Sequence, residues 1–271
     1  MPLKKKVLSI NFIEAENISK NYIIQKGVFF RQKTIIQALK GVSFSIKQGE
    51  FVGFIGPNGA GKSTTLKILT GILTPDAGSV SVYGMIPWRN RIQLAYRIGV
   101  VFGQKTQLWW DLPVIDSFDL LQKMYRIPIH HYHLRKEEMI NLLKLETFLR
   151  TPVRQLSLGQ RMRADLGASL LHSPEILFLD EPTIGLDAPT KVSIRKFLKS
   201  INQEKKITIL LTTHDTRDIE ELCPRILFIN HGVLIRDGSL KDFREVLQKE
   251  ADDEIESVED LFVRLYEDPE K

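Results

Sequence analysis

Cysteine is almost missing from this chain. Cys223 has no possible internal partner, so no disulfide framework supports the fold and a reducing cytosol is the expected setting. Long apolar runs are missing too: no uncharged stretch approaches the about 20 residues that cross a bilayer. The opening residues Met1-Pro2-Leu3-Lys4-Lys5-Lys6 are charged and lack the apolar stretch of a secretory signal. Any work at a membrane therefore needs another chain to provide the crossing. Tandem repeats and low-complexity tracts are absent, which excludes solenoids and fibrous chains. His130, His131 and His133 lack the i,i+4 spacing of a helical metal site.

What is present is globular. A chain of 271 residues, 43% hydrophobic and 26% charged, buries a sizeable core. Its net charge of +5 permits an acidic ligand, a lipid headgroup surface or nucleic acid without choosing among them.

From Val7 to Gly53 the text predicts short strands, with apolar pieces at Val7–Ile10, Tyr22–Ile24 and Val42–Ile46. The run Phe51–Ile55 then leads into a glycine-bearing turn and a segment with Leu66, Leu69 and Leu73 near helical spacing. Strand text returns at Val80–Tyr83 and Ile98–Phe102. Two helical stretches follow between Pro113 and about Leu149, broken at Pro128, and read as a small helical insert. Strands resume at Ile176–Leu179, Ile207–Leu211 and Ile226–Ile229, with a helix carrying Ile194, Phe197, Leu198 and Ile201 between the first two. Apolar strands alternating with helices predict an α/β fold with a parallel sheet. The acidic stretch Glu250–Asp260, followed by Leu261, Phe262 and Leu265, reads as a solvated end piece with a short amphipathic helix.

Gly56-Pro57-Asn58-Gly59-Ala60-Gly61-Lys62-Ser63 matches G-x-x-x-x-G-K-[ST]. A polyphosphate has to be wrapped by successive backbone N–H groups, and bulky side chains on the loop would hold the backbone away from its oxygens. A helix starting near Gly61, through Ser63 and Thr64, aims its free N–H groups at the same phosphates. Lys62 is expected to reach the β- and γ-phosphates, and the Ser63 hydroxyl to ligate Mg²⁺. The strand Ile176–Leu179 ends in Asp180-Glu181, and strand ends of a parallel sheet lie at the ligand crevice. Asp180 is placed to hold Mg²⁺ directly or through water, and Glu181 to face a water in line with the γ-phosphate.

With these motifs in hand, the chain resembles the nucleotide-binding subunit of ATP-binding cassette (ABC) transporters over nearly its whole length. Leu156-Ser157-Leu158-Gly159-Gln160 is similar to the LSGGQ signature, Gln104 to the Q-loop glutamine, and Gly185-Leu186-Asp187 to the D-loop. His214 resembles the switch histidine, and Tyr22 the aromatic that stacks on adenine. The resemblance implies a P-loop, RecA-like ABC ATPase core with an N-terminal antiparallel β subdomain and an α-helical subdomain. It divides the chain into a cassette at 1–240, with the helical subdomain at about 105–170, and a C-terminal helical tail at 241–271. One departure is Leu158 where the family carries glycine, which adds bulk near the expected nucleotide face. Ser157-x-x-Gln160 before a helix is also an ordinary capping box.

The resemblance further implies a division of labour. Glu181 acts as general base, His214 holds the γ-phosphate and attacking water, and Gln104 senses Mg²⁺ and couples the sheet to the helical insert. Ser157, Gly159 and Gln160 grip ATP held by a second cassette, and Asp187 connects the two sites. Two copies of the chain, closing head to tail on ATP, are the simplest arrangement. Gln107 competes with Gln104 for the Q-loop role; Gln104 is preferred because it directly follows the strand.

Trp109 and Trp110 follow the Q-loop, where such cassettes receive a membrane subunit, and are expected to dock a separate permease. The segment Gly27–Lys33 and the text Gly103–Trp110 resemble cassettes of ABC-2-type or multidrug-export systems, which puts export ahead of import and the chain on the cytoplasmic face of the inner membrane. The alternative is a soluble ABC-type ATPase serving a protein assembly, in the manner of cluster-assembly ATPases. Only about 95 residues separate Lys62 from Ser157, with no sustained heptads, so the coiled coils of chromosome-binding relatives are excluded and no nucleic acid partner is expected.

Overall fold

The computed structural model describes residues 11–26, 32–103, 105–250 and 257–267. The strand expected at Val7–Ile10, the Gly27–Arg31 part of the unusual segment and Gln104 lie outside the described residues.

Two sheets organise the chain. A three-stranded antiparallel sheet in the order β2-β1-β4 is built from β1 (Asn11–Lys26), β2 (Gln32–Lys47) and β4 (Ala77–Val82). The apolar pieces expected as separate short strands are parts of one long pairing: Ile13 opposes Ile46, Ile18 opposes Val42, and Tyr22 opposes Ile36. Register shifts near Ala15–Ser19 absorb the polar breaks that made the text look like several strands.

The second sheet has the order β5-β6-β7-β3-β8-β9. Here β3 is Phe51–Ile55, β5 Ile98–Phe102, β6 Ile176–Asp180, β7 Thr208–Thr212 and β8 Arg225–Asn230, all parallel. The edge strand β9 (Val233–Gly238) runs antiparallel to β8, and its weak apolar pattern left it unpredicted. Every residue of β3 and β7 is buried, as a strand covered on both faces requires. Their side chains alternate between two cores. Val52, Phe54, Phe178, Leu210, Leu227 and Ile229 pack toward the antiparallel sheet and α1 (Lys62–Leu69). Phe51, Ile55, Leu177, Leu179, Ile209, Leu211 and Phe228 pack toward the helices of the opposite face.

Those helices include the insert. After the short α2 (Arg91–Ala95), α3 (Val114–Met124) and α4 (Ile129–Leu143) flank Pro128 as expected. A 3₁₀ turn at Val153–Gln155 then leads into α5 (Leu158–Leu170). The long α6 (Ala188–Lys205) and short α7 (Thr216–Leu222) complete the alternation. The chain thus forms the α/β cassette architecture with an antiparallel β subdomain and a helical insert.

The C-terminal segment is not a solvated end piece. Of α8 (Leu240–Glu250) and α9 (Val258–Glu267), the first buries Phe243 and the second buries Val258, Leu261, Phe262 and Leu265 in the main core. Phe262 packs on Phe228 of β8, and Thr216 at the start of α7 donates to Glu259. Burial of this order contributes about 2 kcal/mol per large side chain, while Glu259 and Asp260 stay exposed and keep their solvation.

Candidate functional site

The phosphate loop joins β3 to α1. Gly56 lies so close to β8 that an added Cβ would sit 1.9 Å from the Ile229 carbonyl oxygen. Gly61 caps α1 with φ 111°, a conformation that L side chains rarely adopt, and makes no side-chain capping bond. The first-turn N–H groups of α1 therefore face the loop without a competing side-chain acceptor or an acidic residue. Pro57, Asn58, Gly59 and Ala60 form the turn between them, with Asn58 and Gly59 exposed and Ala60 buried.

Lys62 is 6% exposed, and its Nζ donates to the carbonyls of Gly56 at 2.6 Å and Pro57 at 3.0 Å. Burial holds its ammonium below the usual lysine range, while the charges of Glu181 and Asp180 pull the other way. The ammonium thus stands against the loop backbone, opposite the two acids.

Both acids stand at the C-terminal end of β6. Asp180 Oδ1 accepts from Ser63 Oγ at 3.3 Å and from Thr212 Oγ1 at 2.6 Å. Glu181 has φ 52°, and its N–H donates to the Thr212 carbonyl at 3.0 Å and lies 3.1 Å from the Thr212 hydroxyl. Its Oε1 is 3.2 Å from His214 Nδ1. The left-handed backbone at Glu181 turns its carboxylate away from the strand direction toward the histidine. A cleft of about 780 Å³ lies over this strand edge, lined by Asn58, Ser63, Lys67, Gly103, Asp180 and His214 among others. Thr64 meets Tyr22, with the two hydroxyls 3.3 Å apart.

Thr212 was not foreseen as a site residue, although it holds both acids. Its signal is the hydroxyl at the end of an otherwise apolar strand. A second unforeseen element is the buried Asp218, which accepts from Thr183, Thr213 and Arg195. It ties the loop after Glu181 to the loop before His214 and fixes how far apart they stand.

The signature residues lie elsewhere. Ser157 caps α5 in a complete capping box: its hydroxyl accepts from Gln160 N–H at 3.2 Å, and Gln160 Oε1 accepts from Ser157 N–H at 2.9 Å. Asp187 caps α6 through Thr190, whose N–H and hydroxyl hold its carboxyl below the ordinary range. Ser157, Gly159, Gln160 and Asp187 do not line the cleft formed by the phosphate loop of the same chain. Leu158 is half-buried and packs toward Gly185 of the D-loop segment, so part of its bulk is taken up inside the chain. Gln107 donates from Nε2 to the backbone carbonyl of Asp165 at 3.0 Å and is not among the residues lining the cleft.

Residues 39–184 match the family model described as ABC transporter, more than half of the chain. The chain belongs to the ABC transporter family. It is an ATP-binding and ATP-hydrolysing cassette of that family. It is similar to the linearmycin resistance ATP-binding protein LnrL of Bacillus subtilis, 34% identical over 230 residues that cover 85% of this chain and 70% of the relative. The ABC transporter ATP-binding protein NatA of the same species is 30% identical, covering 80% of this chain and 88% of that one. Among solved structures, the dimeric post-hydrolysis state of the ATP-binding cassette MJ0796 bound to ADP and Pi matches with a TM-score of 0.73 and 31% identity. It covers 84% of this chain and 98% of that one. No helix among the described residues of this ABC cassette is long and apolar enough to cross a membrane.

Proposed function

We propose that two copies of this cassette close head to tail around two ATP molecules and drive transport by separate membrane permease subunits, in the direction of export. The observation that carries the pairing is the separation of the site's halves. Loop, acids and switch histidine share one cleft, whereas the capped N-terminus of α5 with Ser157 and Gly159 lies outside it. A chain with a single loop and a single signature completes both sites only by pairing.

Ser63 and Asp180 present two hard oxygen donors 3.3 Å apart, a donor set that fits Mg²⁺. Held by Ser63 and Asp180, the ion would offset phosphate charge in the transition state. Lys62 and the first-turn N–H groups of α1 hold the phosphates, and Tyr22 stacks on the adenine. Glu181 takes a proton from the attacking water, and His214, already at hydrogen-bond distance from Glu181, keeps water and γ-phosphate in line. Gln104 senses the metal and water, and Asp187 bridges the two sites of the dimer.

For the permease, Trp109 is 37% and Trp110 51% exposed, and Arg161 lies over the Trp110 ring. Ile92, Tyr96, Met124 and Tyr125 add an apolar groove between α2 and α3. Exposed apolar surface of this kind fits a protein partner. The linearmycin resistance relative supports outward movement, with the chain held at the cytoplasmic face of the membrane through its permease.

Glu181→Gln tests the core of this proposal. It keeps the hydrogen-bonding shape and removes the base, so turnover falls by about 10²- to 10⁴-fold. ATP then accumulates closed dimers on gel filtration. Wild-type turnover in this variant removes the base assignment, and a monomer at saturating ATP removes the pairing. Replacing Trp109 and Trp110 together by alanine weakens co-purification with the permease and leaves ATP binding intact.

A further inference from the structure

Asp165 is a carboxylate in the middle of α5, in a stretch that is buried all round, among Ala164, Leu166, Gly167 and Ala168. Alanine would fill such a place with better helix propensity and no desolvation cost. The acid is 4% exposed, and one of its carboxylate oxygens holds two donors. Its Oδ1 accepts from Thr106 Oγ1 at 2.8 Å and from Gln107 N–H at 3.1 Å, and its backbone carbonyl accepts from Gln107 Nε2 at 3.0 Å. Thr106 Oγ1 also accepts from Leu108 N–H at 3.1 Å, and Leu108 is buried. Burial raises the carboxyl of Asp165 to about 6, against the pull of its two donors and the charge of Arg161, so it remains ionised at neutral pH.

The two ends of this junction lead to different parts of the machinery. Upstream, Phe102, Gly103 and Lys105 line the nucleotide cleft, and Gly103 N–H donates to the Asp180 carbonyl at 2.7 Å. On the helix side, Asp165 stands eight residues from Ser157, about 12 Å along the α5 axis. A buried charged acceptor shared by two donors holds its partners more strongly than apolar packing would.

We infer that Asp165 is a positioning residue that latches the cleft-wall segment Lys105–Leu108 to the signature helix, so that a displacement beside the γ-phosphate site carries the N-terminus of α5 with it. The inference rests on the proposed role of α5 in gripping nucleotide, and it concerns how that helix is told that the cleft is filled.

The test uses the full chain carrying Glu181→Gln, with Asp165→Ala, Asp165→Asn or Thr106→Val added. Backbone amide exchange at 105–108 and 157–163 is followed with and without ATP and magnesium, beside ATP affinity and dimer formation. In the parent, ATP slows exchange in both segments by about fivefold. In Asp165→Ala the effect at 157–163 falls below about twofold while 105–108 still responds and ATP affinity stays within about twofold. Asp165→Asn, whose amide oxygen accepts both bonds, restores the coupling. Thr106→Val, which removes one donor and keeps the shape, weakens it in the same direction.

Coupled exchange that survives Asp165→Ala, or a parent in which 157–163 never responds to ATP, overturns the latch. An Asp165→Asn variant as defective as alanine overturns it as well. So does a uniform loss of ATP affinity and protection in every variant. A parent with coupled exchange that stays monomeric contradicts the pairing of cassettes and leaves the latch standing.

Discussion

Gly103 is the position where a single methyl group separates the geometry of the site from the stability of the fold. It follows β5 and donates its N–H to the Asp180 carbonyl, and a Cβ built on it would stand 2.3 Å from the Glu181 carbonyl oxygen and 2.9 Å from that of Asp180. Ordinary contact begins near 3.4 Å, so Gly103→Ala forces the ends of β5 and β6 apart by about 1 Å. Both obstacles are backbone atoms and cannot rotate away. Gly103 does not have positive φ, so alanine adds no conformational strain of its own. A displacement of about 1 Å in a catalytic group costs on the order of 10²-fold in rate. The assay is magnesium-dependent ATP hydrolysis by the full chain, with kcat and KM resolved and thermal unfolding recorded beside them. Gly41→Ala is the matched comparison: its φ is +77° and nothing lies within 4 Å of its Cβ, so it loses about 1 kcal/mol of stability and keeps its turnover. A Gly103→Ala enzyme with kcat within threefold of wild type, or one that merely tracks the stability loss of Gly41→Ala, refutes the reasoning.

Thr212→Val keeps the shape of a fully buried side chain but removes the hydroxyl that holds Asp180; kcat is expected to fall about tenfold, with thermal stability lowered by about 1 kcal/mol. Leu261→Ala empties a site in the α9 contact that is wholly shielded from solvent, and costs about 2–5 kcal/mol in urea unfolding; a loss under 1 kcal/mol contradicts the docking of α9. Asp165 predicts a pH effect of definite sign. Its folded value of about 6 exceeds the unfolded 3.8, so between these values the folded chain holds a proton that the unfolded chain has released. Stability from this group therefore falls as pH rises through that window, by about 3 kcal/mol in full. Denaturation of wild type and Asp165→Asn at pH 4 to 7 shows the variant gaining on wild type up to about pH 6 and level thereafter; parallel curves refute the assignment.

The strands of the parallel sheet were legible because each is a short, largely buried apolar run, several of them ended by a glycine turn or an acid, as at Gly56, Gly103 and Asp180. Pro128 marked the break between α3 and α4 because its ring cannot continue a helix. The long β1–β2 pairing was hidden by its own bulges, which put polar residues where a regular strand would alternate. The C-terminal helices were misjudged for a different reason. The charges of Glu250–Asp260 dominate the local composition, yet Val258, Leu261, Phe262 and Leu265 recur at helical spacing and find a complementary surface beside β8 and α7. Only the fold supplies that surface, so the sequence pattern could show an apolar stripe but not what it covers.

At the site, the residues that bind by backbone or stand at strand ends were legible, whereas those that hold other residues were not. A phosphate loop announces itself because its residues stand in one contiguous motif and its glycines meet local backbone requirements, such as the φ of 111° at Gly61. Thr212, Asp218 and Asp165 answer demands set by segments far away in sequence, and a lone Thr or Asp carries no such mark. Leu158 shows the same principle in reverse: judged alone it intrudes on a nucleotide face, but its neighbour in space is Gly185, whose missing side chain makes room for it. Leu158 and Gly185 thus meet in space, although the φ of +71° at Gly185 already favours glycine there. It also follows that enlarging Gly185, with its φ of +71° and Leu158 3.0 Å from its Cβ position, would disturb the start of α5 from within the same chain before any partner is met.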